Sequence, residues 1–166
     1  MDAIERRELE QVRMKYLFCL AVLMAMTTSA QNTDASGQEI RKCKFEAKAG
    51  CVFGEADVTL ADGVVKRVEV DVNWCGSPVR YQCMIDSSRS DGESTWSEDG
   101  SATLIANASP FNPNQPDRVK VTVGRYVSID LDEAQSLGRC GAGAELPRAI
   151  VIPAQRGACR VWLREP

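Results

Sequence analysis

A polar segment between residues 86 and 100 carries the side chains best suited to ligand binding. Its one aromatic residue, Trp96, has no apolar residue within five positions on either side. An indole face stacks on a sugar ring, and neighbouring carboxylates accept hydrogen bonds from sugar hydroxyls. The predicted ligand-binding residues are therefore Trp96, Asp91, Glu93, Glu98 and Asp99. The alternative is a solvated loop in which the indole folds back over the core.

Calcium binding by the same carboxylates is a second interpretation. Counted from Ser87, Asp91 is fifth, Gly92 sixth and Glu98 twelfth, as in a helix–loop–helix calcium loop. Ser87 in first place and Arg89 in third depart from that motif. An irregular site built from the same carboxylates fits better than the motif. We predict no bound metal, and the sequence leaves calcium open.

Other residue groups give little support for catalysis. The chain contains no histidine, which removes the commonest general base and zinc ligand. Glu69 and Asp71 share a predicted strand face about 7 Å apart, a spacing that a carboxylate pair in a hydrolase uses. They alternate with Arg67 and Asn73, which favours solvated cross-strand pairing. We expect a protein that is not an enzyme and has no cofactor, with a carboxylate-dependent hydrolase as an alternative.

The cysteine count predicts a disulfide-bonded domain. Seven cysteines are present, and Cys19 lies in a predicted signal peptide. The six others are Cys43, Cys51, Cys75, Cys83, Cys140 and Cys159. An even number in an exported chain is typical of disulfides, and six cysteines allow about 15 connectivities. The simplest joins neighbours along the chain: Cys43 to Cys51, Cys75 to Cys83 and Cys140 to Cys159.

The first 30 residues are predicted to be a signal peptide. Residues 16–26 are apolar, too short for a membrane span of about 20 residues, and small residues follow up to Ala30, the expected cleavage point. The mixed charge of residues 1–13 suggests Met14 as the true start. We expect a secreted or periplasmic monomer without a stable membrane anchor.

The charge pattern argues against a nucleic-acid partner. The formal net charge is −3, whereas nucleic-acid binding favours a strongly basic face. The C-terminal stretch is locally basic, since five arginines face only Glu145 and Glu165 there. These arginines are Arg139, Arg148, Arg156, Arg160 and Arg164. They either hold a planar anion or provide ordinary surface charge.

Apolar and polar residues alternate through most of the remaining chain. In residues 64–74, Val68, Val70, Val72 and Trp74 share one face, the period of a half-buried strand. Similar runs predict about eight short strands in a single domain over residues 40–166, after a flexible tail at 31–39. We expect an antiparallel β-sandwich, jelly-roll-like or Ig-like, with a small β-barrel as the alternative.

Four details of this fold are predicted. Asp62 and Gly63 form a hairpin turn. Residues 119–131 form one strand with a bend at Gly124, residues 132–137 a helical turn, and residues 86–100 a loop. The function expected is a non-catalytic binding module for an unknown protein or carbohydrate partner, such as an inhibitor of a secreted enzyme or a glycan binder. The alternative outside catalysis is a structural or interaction protein of the cell envelope.

Overall fold

Ten β-strands make up the regular structure of the computed structural model. It describes residues 37–47, 51–75, 80–107, 114, 117–136, 139–140, 144–155 and 157–164, and of Arg80 only the backbone. The strands are β1 (Glu39–Ala47), β2 (Val52–Ala61), β3 (Val64–Cys75), β4 (Arg80–Ser88), β5 (Ser94–Asp99), β6 (Ala102–Asn107), β7 (Asp117–Val123), β8 (Val127–Asp130), β9 (Ala149–Ile152) and β10 (Arg160–Trp162). This part of the chain contains no helix.

The strands form two antiparallel sheets. The first has four strands in the order β1-β2-β3-β4, and the second has six in the order β10-β9-β8-β7-β6-β5. Both sheets contribute to one apolar core. The predicted β-sandwich is therefore confirmed, and the sheets do not close into a barrel.

The sequence alternation fixes which face of each sheet is buried. In β3, Val68, Val70 and Val72 are at most 1% exposed, while the residues between them lie on the outer face. Ile105 in β6 and Val121 in β7 are fully buried from the other sheet. Burial of one such side chain stabilises the fold by about 1.5–3 kcal/mol.

Two tight turns shape the hairpins. Asp62 and Gly63 both have positive φ, 54° and 75°, as the predicted hairpin turn requires. Around Gly124 the prediction of one bent strand is wrong, because the chain reverses there and β7 pairs with β8. The Gly124 amide donates to the Tyr126 carbonyl over 3.0 Å within that turn. The apolar residues keep the same alternation before and after Gly124. A bent strand and a hairpin that keeps these residues on the inner face both give that alternation, so the sequence could not distinguish them.

Two predicted segments differ from the structure. The expected loop at 86–100 shrinks to residues 89–93, because β4 extends to Ser88 and β5 occupies most of the rest. Strand β5 is a polar sheet edge, so it lacks an alternating apolar signal. The predicted helical turn over 132–137 is absent from 132–136, where Asp132 and Glu133 form a turn and an extended segment follows.

All six predicted cysteines form disulfides, but the sequential pairing is wrong. The bonds join Cys43 to Cys159, Cys51 to Cys75 and Cys83 to Cys140, with Cα–Cα distances of 5.4, 5.3 and 4.1 Å. Register explains the error. In the register of β1 and β2, Cys43 lies opposite Ala56, which is five residues beyond Cys51 in the chain. Cys43 and Cys51 are therefore far apart along the hairpin. At about 3.3 Å per residue, that separation exceeds what a disulfide spans.

Some predictions fall outside the described residues. They are the signal peptide at 1–30 with its cleavage point, the start at Met14, and the tail up to residue 36. Strand β1 begins at Glu39. Within the described ranges, no helix has the length and apolar character needed to span a membrane.

Candidate functional site

Trp96 lies on the inner face of β5 and not on an open surface. It is directly opposite Ile105 of β6, and its ring packs, partly buried, against the core. Its Nε1 atom is buried without a hydrogen-bond partner. The indole therefore folds back over the core, which was the alternative to an exposed sugar-stacking platform.

Arg89, in the turn that links the two sheets, covers the Trp96 ring. Its Cζ atom is 5.0 Å from the ring centroid, within the range of a cation–π contact. Its Nε donates to the Val65 carbonyl over 2.7 Å, and its guanidinium pairs with Glu98. Glu98 also accepts a 2.7 Å hydrogen bond from Thr103 Oγ1. Trp96 and Glu98 thus share one contact network with a structural role.

The other three predicted residues do not converge on this network. Asp91 and Glu93 are exposed in the turn before β5. Asp99 is exposed on the face of β5 opposite to Trp96, because alternate residues of a strand point to opposite sides. The five side chains therefore belong to three different environments. Among the described residues, no three or more acidic or cysteine side chains are grouped closely enough to hold a metal ion.

The predicted carboxylate pair lies on the outer face of β3. Glu69 accepts a 2.8 Å hydrogen bond from Arg67, and Asp71 accepts bonds from Asn73 and Gln82, each over 2.9 Å. Both carboxylates are thus engaged by neighbours in the sheet. The one buried carboxylate in the described part of the chain is Asp117, which is 5% exposed.

Three of the C-terminal arginines bind other parts of the same chain. Arg139 donates to Asp117 over 2.6 Å, and Arg148 forms an ion pair with Asp132 at 2.9 Å. The hydrogen bond from Arg148 lowers the pKa of the Asp132 carboxyl below its ordinary value. Arg164 donates to backbone carbonyl oxygens, as described below. Arg160 is exposed, and Arg156 lies outside the described residues.

Arg164 replaces missing strand partners in the segment between β8 and β10. Its guanidinium donates to the carbonyl oxygens of Leu146, Leu131 and Asp132 over 3.1, 2.7 and 3.2 Å. These oxygens belong to irregular chain outside the strand ladders, and that of Leu131 also accepts a hydrogen bond from the Ala134 amide over 3.0 Å. Arg139, Arg148 and Arg164 therefore all have partners within the fold.

A comparison of the chain with protein-family models, curated proteins and solved structures finds no match. The candidate site therefore depends on the geometry and chemistry of this chain alone.

The outer face of the four-stranded sheet is a charged surface that sequence analysis did not single out. At the paired outward positions of β1–β4 between Ile40 and Ser88, the register places six carboxylates and four cations, a net charge of −2. The carboxylates are Glu46, Glu55, Asp57, Glu69, Asp71 and Asp86, and the cations are Lys42, Lys44, Arg67 and Arg80. We call this surface the acidic face. In the sequence, these charged residues are the polar positions that alternate with apolar ones, and they are distributed over four strands.

Ion pairs neutralise only part of the acidic face. Lys42 Nζ is 2.8 Å from Asp57, and this hydrogen bond raises the pKa of the lysine. Arg67 contacts both Glu69 and Asp86, and the hydrogen bond with Asp86 is the main reason that its pKa is raised. Met84, 59% exposed, adds apolar area among these charges. Methionine is one of the residues enriched at protein interfaces.

A groove occupies one end of the acidic face. It has a volume of about 780 Å³ and is lined by Phe53, Glu46, Glu55 and Asp71 among others. The exposed disulfide between Cys51 and Cys75 also lines it. Below the groove Gly54 is required, because a Cβ there would lie 2.7 Å from the Phe45 ring and 1.9 Å from the Asp71 carbonyl oxygen.

Trp162 is a second feature that the sequence analysis did not single out. Of its surface, 48% is exposed on the outer face of edge strand β10. The neighbours Val161 and Leu163 pack against the core instead. The out-of-phase position of Trp162 between those two apolar residues was the available signal.

Proposed function

We propose that this protein is an exported, non-catalytic binding module whose partner is a protein with a cationic surface. The observation that carries the proposal is the net charge of −2 on the acidic face. A field of one sign attracts a partner of opposite charge, speeds association and suppresses wrong partners. Inhibition of a cationic secreted enzyme is one function that such a surface serves.

The proposed compartment is the periplasm or the extracellular space. Three intramolecular disulfides are typical of a protein that folds in an oxidising environment. The predicted signal peptide supports the finer assignment, since it supplies a route to such a compartment.

A glycan is the alternative partner, and Trp162 is the observation that favours it. Its indole is 48% exposed and lies opposite Ala149, whose side chain is small. Replacement of Trp162 by alanine should then abolish retention on a bacterial peptidoglycan or polysaccharide matrix. Unchanged retention of that variant would remove the indole from the binding surface.

The other two functional classes have weaker support. A hydrolase needs a facing pair of carboxylates in a cleft, and Asp117 is committed to Arg139 and to the Gln135 amide. A structural envelope protein would be favoured by a flat apolar edge strand. In the six-stranded sheet, the edge strand β5 is polar, and the other edge strand, β10, has only 3 residues.

Neutral replacements on the acidic face test the proposal. The test variant is Asp57→Asn/Glu69→Gln/Asp86→Asn, and the control, Asp62→Asn/Asp99→Asn/Glu133→Gln, removes three charges elsewhere. Binding of the basic probe protein cytochrome c is measured by biolayer interferometry at low and physiological salt. We expect the test variant to weaken binding about tenfold or more and the control to change it little, since opposed charges steer association. Equal losses in both variants, or no probe binding to the wild type, would contradict the proposal.

A further inference from the structure

The groove at the end of the acidic face combines one aromatic side chain with a surplus of carboxylates. Phe53 lines it from β2, directly opposite Glu46 of β1 and Asn73 of β3. Glu55 and Asp71 are opposite each other in the next outward row. Lys44 is the cation among the described lining residues, and its Nζ is 3.7 Å from Glu55. The groove therefore has an apolar centre and a net negative lining.

Asp71 differs from the other engaged carboxylates of this face. Each of its oxygens accepts a hydrogen bond over 2.9 Å, one from Asn73 and one from Gln82. Both donors are neutral amides, so they fix the direction of the carboxylate and leave its charge uncompensated. Among the described residues Asp71 forms no ion pair, whereas Asp57 pairs with Lys42. A fixed carboxylate with uncompensated charge is pre-organised for a cation.

We propose that this groove binds an arginine side chain of the protein partner. The inference rests on the proposed function and names the chemistry of one contact within it. The guanidinium is planar, stacks on an aromatic ring and forms paired hydrogen bonds with carboxylates. Phe53 supplies the ring, and Asp71 and Glu46 supply the acceptors. A lysine ammonium has the charge without the planar shape, and it is more strongly hydrated.

A peptide titration tests the proposal in the mature protein. The probes are acetyl-Ser-Arg-Ser-amide, the same peptide with citrulline, which has the shape of arginine without its charge, and the same peptide with lysine. Amide and side-chain NMR shifts report where each probe binds. We expect saturable shifts at Phe53, Asp71 and Asn73 with the arginine peptide, weaker ones with lysine and none with citrulline. Equal shifts with citrulline, or shifts spread evenly over the acidic face, would overturn the inference.

Two variants locate the contact. Asp71→Asn should weaken arginine-peptide binding about tenfold by removing the anchoring charge. Phe53→Leu should keep the apolar volume but remove the ring, and reduce the preference for arginine over lysine. Asp99→Asn, on the other sheet, is the matched control and should bind as the wild type does. Thermal melts of each variant verify that it is folded.

The same variants separate this inference from the proposed function. If Asp71→Asn and Phe53→Leu bind the basic probe protein and the arginine peptide as the wild type does, the groove is not the arginine site, while the acidic face stands. If the triple variant of the acidic face also binds the probe protein unchanged, the proposed function itself fails.

Discussion

The Arg89 guanidinium lies over the Trp96 indole, with Cζ 5.0 Å from the ring centroid, and it joins the two sheets at that edge. Its Nε reaches the Val65 carbonyl in the four-stranded sheet, while Trp96 belongs to the six-stranded one. Arg89, in the turn that links the two sheets, therefore contacts both of them.

Replacement of Arg89 by alanine should destabilise the fold by about 2 kcal/mol. The change removes a charged hydrogen bond to a carbonyl and the cation–π contact. Arg125→Ala is the matched control, since Arg125 lies 5.6 Å from the ring of Tyr126 and both residues are exposed. It should stay within about 0.5 kcal/mol of the wild type in urea unfolding. Equal losses in the two variants would contradict the connecting role.

The two tryptophans on opposite faces of the six-stranded sheet should respond differently to truncation. Trp96→Ala should cost about 3 kcal/mol, because the ring packs against the core. Trp162→Ala should cost less than about 1 kcal/mol, because 48% of that residue is exposed. Urea unfolding gives both values, and acrylamide should quench Trp162 fluorescence more strongly than that of Trp96. A shielded Trp162 would refute this assignment.

Arg164→Ala should lower stability by about 2–3 kcal/mol. The substitution leaves the carbonyl oxygens of Leu131, Leu146 and Asp132 without this donor, and bonds from charged groups are stronger than neutral ones. Arg160→Ala removes an exposed arginine nearby and should be within about 0.5 kcal/mol of the wild type. Thermal melts of the two variants side by side make the comparison. A neutral Arg164→Ala would mean that water satisfies those carbonyls equally well.

The exposed disulfide should be reduced before the other two. Cys51 and Cys75 are both exposed, whereas Cys43 and Cys83 are 3% and 0% exposed. Limited reduction followed by alkylation and mass spectrometry should label Cys51 and Cys75 first, because exchange requires access for the attacking thiolate. Replacement of Cys51 and Cys75 by serine should lower the free energy of unfolding by about 3 kcal/mol. Replacement of Cys43 and Cys159, which close the longest loop, should lower it by about 5 kcal/mol. Simultaneous labelling of all six cysteines would contradict this order.

The ion pair of Asp132 with Arg148 should make stability depend on acid pH. The hydrogen bond from Arg148 holds the pKa of Asp132 below its ordinary 3.8. A lowered pKa in the folded state stabilises the fold above the unfolded-state pKa, and this contribution is lost as pH falls through the folded-state value. The melting temperature of the wild type should therefore exceed that of Asp132→Asn at neutral pH. The difference should shrink below about pH 4, and a constant difference would exclude this cause.

The alternation of apolar and polar residues predicts the sandwich, because a strand with one buried face places an apolar residue at every second position. Val68 to Trp74 is an example, and Asp62–Gly63 has the turn that its residue types require. The edge strand β5 was not predicted, because all of its residues except Trp96 are polar and give no apolar alternation. The acidic face escapes because its charges come from four strands and become neighbours only through register. Trp96 folds back over the core, the second of its two interpretations, because its spatial neighbour is Ile105 and not its polar sequence neighbours.

The disulfides are nested, since the Cys43–Cys159 bond encloses both of the others in the sequence. Cys159 follows Cys43 by 116 residues, so during synthesis Cys43 emerges long before its native partner. During that interval Cys51 is the nearest cysteine to Cys43, and short loops close most readily. Biogenesis should therefore pass through a Cys43–Cys51 bond and depend on a disulfide isomerase, which makes the host's oxidative folding machinery a determinant of yield.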